Sequence, residues 1–217
     1  MDLKEEIIEY IKSNRVSTTE VADCLGKRGV LPGVKAMNRR HFAVGEVCYV
    51  YAIENSNWSI HEELDKLHPT GKIIFADALD VTEHRALFGD LVSKYIMLYL
   101  SNLAIVTNGY LRDAHTLIKE NYPIWCAGTS PVGCFNTSVD YERKKDEIED
   151  GRAKYDGSIM VCDDSGVVII PKELVNHDFL EKLHFIEQQE DTWYDCIDRR
   201  KWSTFRTVCL KEYEKVL

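Results

Sequence analysis

Apolar residues in this chain recur with two rhythms, one helical and one of extended strands. Leu3, Ile7, Ile8 and Ile11 alternate with Asp2, Lys4, Glu5, Glu6 and Glu9, which predicts an amphipathic helix over Met1–Lys12. Ser17-Thr18-Thr19-Glu20 has the form of a capping box and opens a second helix, running through Val21, Ala22 and Leu25 to about Gly26. A turn-rich stretch with Gly29, Pro32 and Gly33 follows, and residues 42–53 read as a strand. Ser59 is the expected cap of a short helix through Ile60, Leu64 and Leu67. Beyond it the pattern predicts a buried strand over Lys72–Ala78, an apolar helix over Gly89–Leu100 and a strand over Ala104–Thr107. A helix over Arg112–Glu120 and strands at Pro123–Ala127, Ser158–Cys162 and Val167–Ile170 complete it. Short β-rich runs alternating with helices predict an α/β sandwich.

From about Asp178 onward the pattern is helical. The expected division is an α/β domain over residues 1–176 and a helical extension over 177–217. That extension carries Trp193, Tyr194, Trp202, Phe205 and Tyr213, too many aromatics to leave in water. They cover either the body of their own subunit or an interface with another, where Trp and Tyr are enriched.

Charge and cysteine content narrow the classes. The 217 residues carry a net charge of −9, which argues against a general nucleic-acid binder, whose footprint would be basic. An anionic substrate stays compatible, because a metal ion and one arginine reverse the field locally. The longest apolar run, Tyr95–Leu100, falls far short of the ~20 residues needed to cross a bilayer. No targeting segment is visible, and the seven cysteines show no C-x-x-C spacing, so reduced, buried cysteines and a cytoplasmic location are expected. Asp140–Lys154 (DYERKKDEIEDGRAK) reads as a solvated helix or loop. The histidines form no metal cluster by spacing: His61 and His68 read as structural, and His115 as a helix-surface residue.

Two stretches carry candidate chemistry. In Leu87-Phe88-Gly89-Asp90-Leu91-Val92 a glycine-acid pair opens a long apolar helix, whose unpaired N–H groups suit a carboxylate. In Val106-Thr107-Asn108-Gly109-Tyr110-Leu111-Arg112-Asp113 a strand ends, the chain turns, and an Arg-Asp pair begins the next helix. Arg112 would offer a planar fork to a carboxylate. Asp113 would offer oxygen to a hard cation, and magnesium often takes only one or two protein carboxylates.

Together with Ser17–Leu25, Gly29-Val30-Leu31-Pro32-Gly33, Ile60-His61-Glu62, Pro123-Ile124-Trp125, Thr129–Gly133 and Asp163–Pro171, these segments resemble the RraA-like / 4-hydroxy-4-methyl-2-oxoglutarate aldolase family across residues 16 to 190. The resemblance implies a β/β/α sandwich related to swivelling phosphohistidine domains, assembled as a homotrimer or homohexamer. By it, the backbone of Gly89, Asp90, Leu91 and Val92 holds the carboxylate of a small 2-oxo acid, and Arg112 contacts that substrate. Asp113 ligates Mg²⁺ or Mn²⁺, and Glu190, with Glu187 second, is the acid lent by a neighbouring subunit. The implied activity is a class II-type aldolase or decarboxylase, with Asp90 or a water moving the proton. Some relatives instead act as protein-binding inhibitors of a ribonuclease, and a lyase for a larger sugar acid is a third possibility. The chain departs from the family in three places. Residues 91 to 111, 21 in all, separate Asp90 from Arg112, one more than usual. Thr116 stands where the aldolases carry an acid, and the charged 140–154 stretch replaces an apolar strand.

Overall fold

Asp2 opens the first helix, α1 (Leu3–Asn14), by a reciprocal capping box: its carboxylate accepts from the Glu5 N–H while the Glu5 carboxylate accepts from the Asp2 N–H. Ser17 and Glu20 do the same for α2 (Thr18–Cys24), as their spacing predicts. The computed structural model describes residues 2–215. In chain order there follow β1 (Lys35–Ala36), β2 (Ala43–Ala52), α3 (Trp58–Leu67), β3 (Ile73–Ala78), β4 (Ala86–Phe88) and α4 (Asp90–Lys94). Next come β5 (Ala104–Thr107), β6 (Tyr110–Leu111), α5 (Ala114–Glu120), β7 (Ile124–Cys126) and β8 (Gly128–Thr129). The chain continues through α6 (Lys145–Tyr155), β9 (Ile159–Asp163), β10 (Gly166–Ile170) and α7 (His177–Tyr194). Ser59 does not cap α3. Asn57 holds that position, and the Ser59 hydroxyl, inside the first turn, donates to the Tyr51 carbonyl at 2.5 Å.

Seven strands form one sheet in the order β1-β7-β5-β3-β2-β9-β10, parallel through β7, β5, β3 and β2 and antiparallel at both flanks. Its two edges are nearly joined by the segment leading into β1. Val30 bridges Val168 of β10, the Leu31 N–H donates to Val167, and Lys35 and Ala36 pair with Cys126 and Trp125 of β7. The Trp125 indole donates to the Asp163 carbonyl at 2.7 Å across this closure. Residues of β2 alternate between two cores. Val47, Tyr49 and Tyr51 point into the curled sheet with Phe75, Val106 and Met160, while Cys48, Val50 and Ala52 pack against Ile60 and Leu64 of α3. With both faces buried the strand reads as an almost unbroken apolar run. A third core seats Ile7 and Ile11 of α1, Val21 of α2 and Phe179, Leu180 and Leu183 of α7 on β9 and β10.

The charged 140–154 stretch is helical, but one side of it is not solvated. Ile148 and Gly151 of α6 are buried over the interior aromatics, and Arg152 pairs with Glu63 of α3 at 3.1 Å. Part of the helical tail packs on its own subunit. Cys196, Thr207 and Tyr213 are buried, whereas Tyr194 and Phe205 lie open. Among the described residues no helix is long and apolar enough to cross a membrane. Past Lys94, α4 runs on into a π-helical turn, Tyr95–Tyr99.

Candidate active site

A second, three-stranded parallel sheet, β4-β6-β8, extends the carboxyl ends of the large one. Strand β5 ends at Thr107, turns through Asn108–Gly109 and resumes as β6, and β7 is followed in the same way by β8. In open α/β sheets ligand crevices form at such strand ends. Here they carry both stretches the sequence singles out.

The Arg112 N–H donates to the Phe88 carbonyl at 2.9 Å, which holds β6 against β4 and brings Arg112-Asp113 beside Gly89-Asp90. Only glycine fits at position 89. A Cβ there would lie 2.1 Å from Asp113 Oδ2 and 2.6 Å from Arg112 Cγ. Asp113 sits at the N-cap of α5 in the left-handed region, φ 58°, ψ 33°, a conformation that Asp tolerates better than most residues but at some cost in energy. Its carboxylate makes no hydrogen bond to its own helix. Instead Oδ2 accepts from the Asp90 N–H at 3.1 Å and lies 3.7 Å from Arg112 Nε. The Asp113 carboxylate thus leaves its own helix and serves the first N–H of α4 beside Arg112.

These groups line a cavity of about 180 Å³. Gly89, Leu91, Val92, Arg112 and Asp113 all border it, so five of the residues expected at the site converge. Asp90 contributes its N–H to Asp113, and its side chain is not among the lining groups. Glu190 is elsewhere in its own chain, on α7 facing α2. Burial, and then the nearby Glu20, Asp23 and Asp191 carboxylates, raise its pKa. Glu187 is engaged by the Tyr10 hydroxyl. The Asp163-Asp164 pair proves architectural: Asp163 accepts from the Thr18 N–H and hydroxyl and the Ser165 N–H, and Asp164 from the Arg40 N–H.

Asn136 and Cys134 also border the cavity unforeseen, as do two residues at the start of α3: Asn57, which was missed, and His61, which the sequence reads as structural. Their i, i+4 spacing, which places both on one helix face, was the available signal. His61 is partly desolvated, which lowers its pKa and leaves the ring neutral at pH 7. Asn57 is buried, with Nδ2 donating to the Leu87 carbonyl at 2.6 Å and Oδ1 without a partner. Among the described residues no three His, Cys, Asp or Glu side chains converge to hold a metal. A cation at this site would therefore rest on Asp113 and complete its shell with water and substrate oxygens, a donor set that fits magnesium.

Behind the site a buried carboxylate braces the turn that delivers Arg112 and Asp113. Asp77, at the end of β3, accepts from Asn108 Nδ2 at 2.7 Å and from the Tyr49 hydroxyl at 3.0 Å, while Asn108 Oδ1 accepts from the Ala78 N–H. Burial outweighs both bonds and raises the Asp77 pKa above the ordinary 3.8. A raised acid pKa contributes stability at pH values below the unfolded pKa, and that contribution is lost as pH rises through the folded one. Asp77→Asn keeps the shape and an acceptor for Asn108. The variant is expected to melt at higher urea than the native protein at pH 7 and to match it near pH 4. An equal shift at both pH values would remove the assignment.

Comparison with known proteins adds to this geometry. The model of the RraA-like family, described as Aldolase/RraA, matches residues 18–169. A provisionally named 4-hydroxy-4-methyl-2-oxoglutarate aldolase of Halalkalibacterium halodurans is 28% identical over 168 residues, covering 76% of this chain and 78% of that protein. Among solved structures, RraAS2 of Streptomyces coelicolor, from the RNase ES inhibitor RraA protein family, superposes with a TM-score of 0.66 at 20% identity, over 86% of this chain and 95% of that one. An uncharacterized protein of Pseudomonas syringae pv. tomato gives 0.65 at 20% identity, over 90% and 93%.

Proposed function

This chain belongs to the RraA-like family, and from that premise we propose that it is a divalent-metal-dependent lyase cleaving a carbon–carbon bond of a small 2-oxo acid. The observation that carries the reading is Asp113: a carboxylate in a strained left-handed conformation, released from capping its own helix and set beside Arg112 at the cavity wall. The likeness to a provisionally named aldolase supports the same class.

Each part of the site then has a task. The Asp90 N–H is already taken by Asp113, so the free first-turn N–H groups of Leu91 and Val92 receive the substrate carboxylate. Arg112, whose guanidinium donates no hydrogen bond to any described residue, stabilises the negative charge that develops on the 2-oxo oxygen. Magnesium or manganese at Asp113 would supply Lewis-acid polarisation of the 2-oxo group. In the retro-aldol direction the C3–C4 bond breaks, its electron pair stays on C3, and the 4-hydroxyl gives up its proton as its carbon becomes a carbonyl. A water takes that proton, passing it on to Asp90 beside the cavity, and C3 is reprotonated. No redox change occurs.

The oligomer belongs to the same reading. Leu91, at the cavity wall, is 80% exposed and Tyr99 72%, with Leu98 and Ile118 also open. An apolar set of this kind marks an interface. A trimer or hexamer would cover it and bring a neighbour's Glu190 toward the cavity. Location in the cytoplasm and the division at residue 176 are part of the same proposal.

The test is release of pyruvate or carbon dioxide from oxaloacetate, 4-hydroxy-4-methyl-2-oxoglutarate and 2-keto-3-deoxygluconate, with and without Mg²⁺. Asp113→Ala should lower metal-dependent turnover by at least about 10³-fold while leaving the fold intact, since the side chain is exposed and its one hydrogen bond, from the Asp90 N–H, is at the surface. Turnover by the native protein no faster than free metal, on all three acids, would sink the lyase reading.

A further inference from the structure

Four of the described side chains bordering the cavity can gain or lose a proton: His61, Arg112, Asp113 and Cys134. Three of them are unsuited to passing one. A guanidinium keeps its protons in a protein. Asp113 gives its oxygen to the Asp90 N–H and to the proposed cation. Burial pushes the Cys134 thiol up to about 11, so it stays protonated near neutral pH. His61 remains. Desolvation alone shifts its ring, with no hydrogen bond or charged neighbour fixing it in one state. The residue also reaches solvent. Trp58, His61, Glu62 and Asp65, at i, i+3, i+4 and i+7, share one face of α3. That face borders an open hollow of about 410 Å³, and His61 and Asn136 line both the hollow and the cavity. The imidazole thus stands between the cavity and water. Of the acids on the hollow side, Glu62 is taken by Lys66 and by the Tyr141 hydroxyl, and Asp65 does not border the cavity.

We infer that His61 is a catalytic acid–base of this site, exchanging the proton at C3 of the 2-oxo acid. The inference rests on the lyase reading and deepens it by naming the group that reprotonates C3. In the condensation direction the neutral ring takes one methyl proton from pyruvate. The C–H electron pair becomes the C2–C3 double bond of the enolate, and the carbonyl π pair moves onto the 2-oxo oxygen. In cleavage the imidazolium, formed with a proton drawn from solvent through the hollow, gives that proton to C3. Asp90 releases to solvent the proton received from the 4-hydroxyl, so the cycle neither gains nor loses one.

The test is exchange of the pyruvate methyl protons for deuterium in D₂O with Mg²⁺, followed by ¹H NMR, which needs no aldol substrate. The native protein should exchange them faster than free Mg²⁺ does. His61→Ala removes an exposed side chain and leaves a good helix former in its place, so α3 is kept. The variant should exchange about 10²-fold more slowly or worse, while the rise in Tm that pyruvate induces stays unchanged. Added imidazole, entering through the hollow, should restore part of the rate. In the native protein the rate should climb with pH as the ring loses its proton, and that limb should vanish in His61→Ala. Exchange by the variant at the native rate, or a loss that imidazole does not relieve, would overturn the inference and leave the lyase reading in place. No exchange by the native protein beyond free Mg²⁺ would overturn both.

Discussion

Gly89→Ala is expected to reduce turnover by about 10²-fold or more while the protein still folds. The added methyl would sit 2.1 Å from Asp113 Oδ2 and 2.6 Å from Arg112 Cγ. Both belong to the wall of the cavity, and neither distance is compatible with a carbon atom. The cheapest relief is for the Asp113 carboxylate to swing away, breaking its bond from the Asp90 N–H and shifting the group proposed to hold the cation. Displacements of about 1 Å in a catalytic group commonly cost 10²-fold. The stability loss should stay within about 1–3 kcal/mol, the usual range for overpacking. Two measurements check this: turnover, and Mn²⁺ binding followed by electron paramagnetic resonance, which reports the site without a substrate. A variant that binds Mn²⁺ and turns over as the native protein does would mean that the chemistry lies elsewhere.

Gly151→Ala should destabilise the protein. In an isolated helix the change would be favourable by about 1 kcal/mol. Here the new Cβ would lie 2.2 Å from the Tyr49 hydroxyl oxygen and 2.7 Å from Cζ. Tyr49 cannot retreat: its ring is flanked by Phe75 and Tyr155, and its hydroxyl is bonded to buried Asp77. Either α6 lifts from the curled sheet or the Tyr49–Asp77 bond breaks. A net loss of roughly 2 kcal/mol follows, lowering Tm by about 4–8 °C. Thermal melts decide it, and a variant more stable than the native protein would show that α6 does not rest on Tyr49.

Long elements were legible because their patterns are local. Reciprocal caps at Asp2 and Ser17 mark helix starts on their own, and the apolar runs of β2, β3 and β5 are long enough to stand out. The three strands of the small sheet were not legible, since two or three residues cannot show a period; Tyr110–Leu111 and Gly128–Thr129 exist because β5 and β7 place them side by side. Charge hid the buried side of α6, where Ile148 and Gly151 are few among many acids and bases. At the site, the Gly89-Asp90 and Arg112-Asp113 dipeptides were visible as motifs, and their convergence depended on the resemblance to a family. Asn57 escaped notice because the sequence puts the cap of this helix at Ser59, two residues later. Only the structure shows its amide committed to Leu87 instead.

The near closure of the sheet also dictates when the protein can fold. Val30 must find Val168, and Ala43 through Glu46 must pair with Ile159 through Cys162. These contacts span more than half the chain, and such non-local pairing slows folding. During synthesis β2 emerges early with one edge unpaired, and it stays so until residue 162 has left the ribosome. Over that interval an apolar strand edge is available to other chains. Aggregation during expression, more than any weakness of the finished fold, should therefore limit the yield of this protein, and slowing translation at low temperature should not relieve it as well as a chaperone that shields β2.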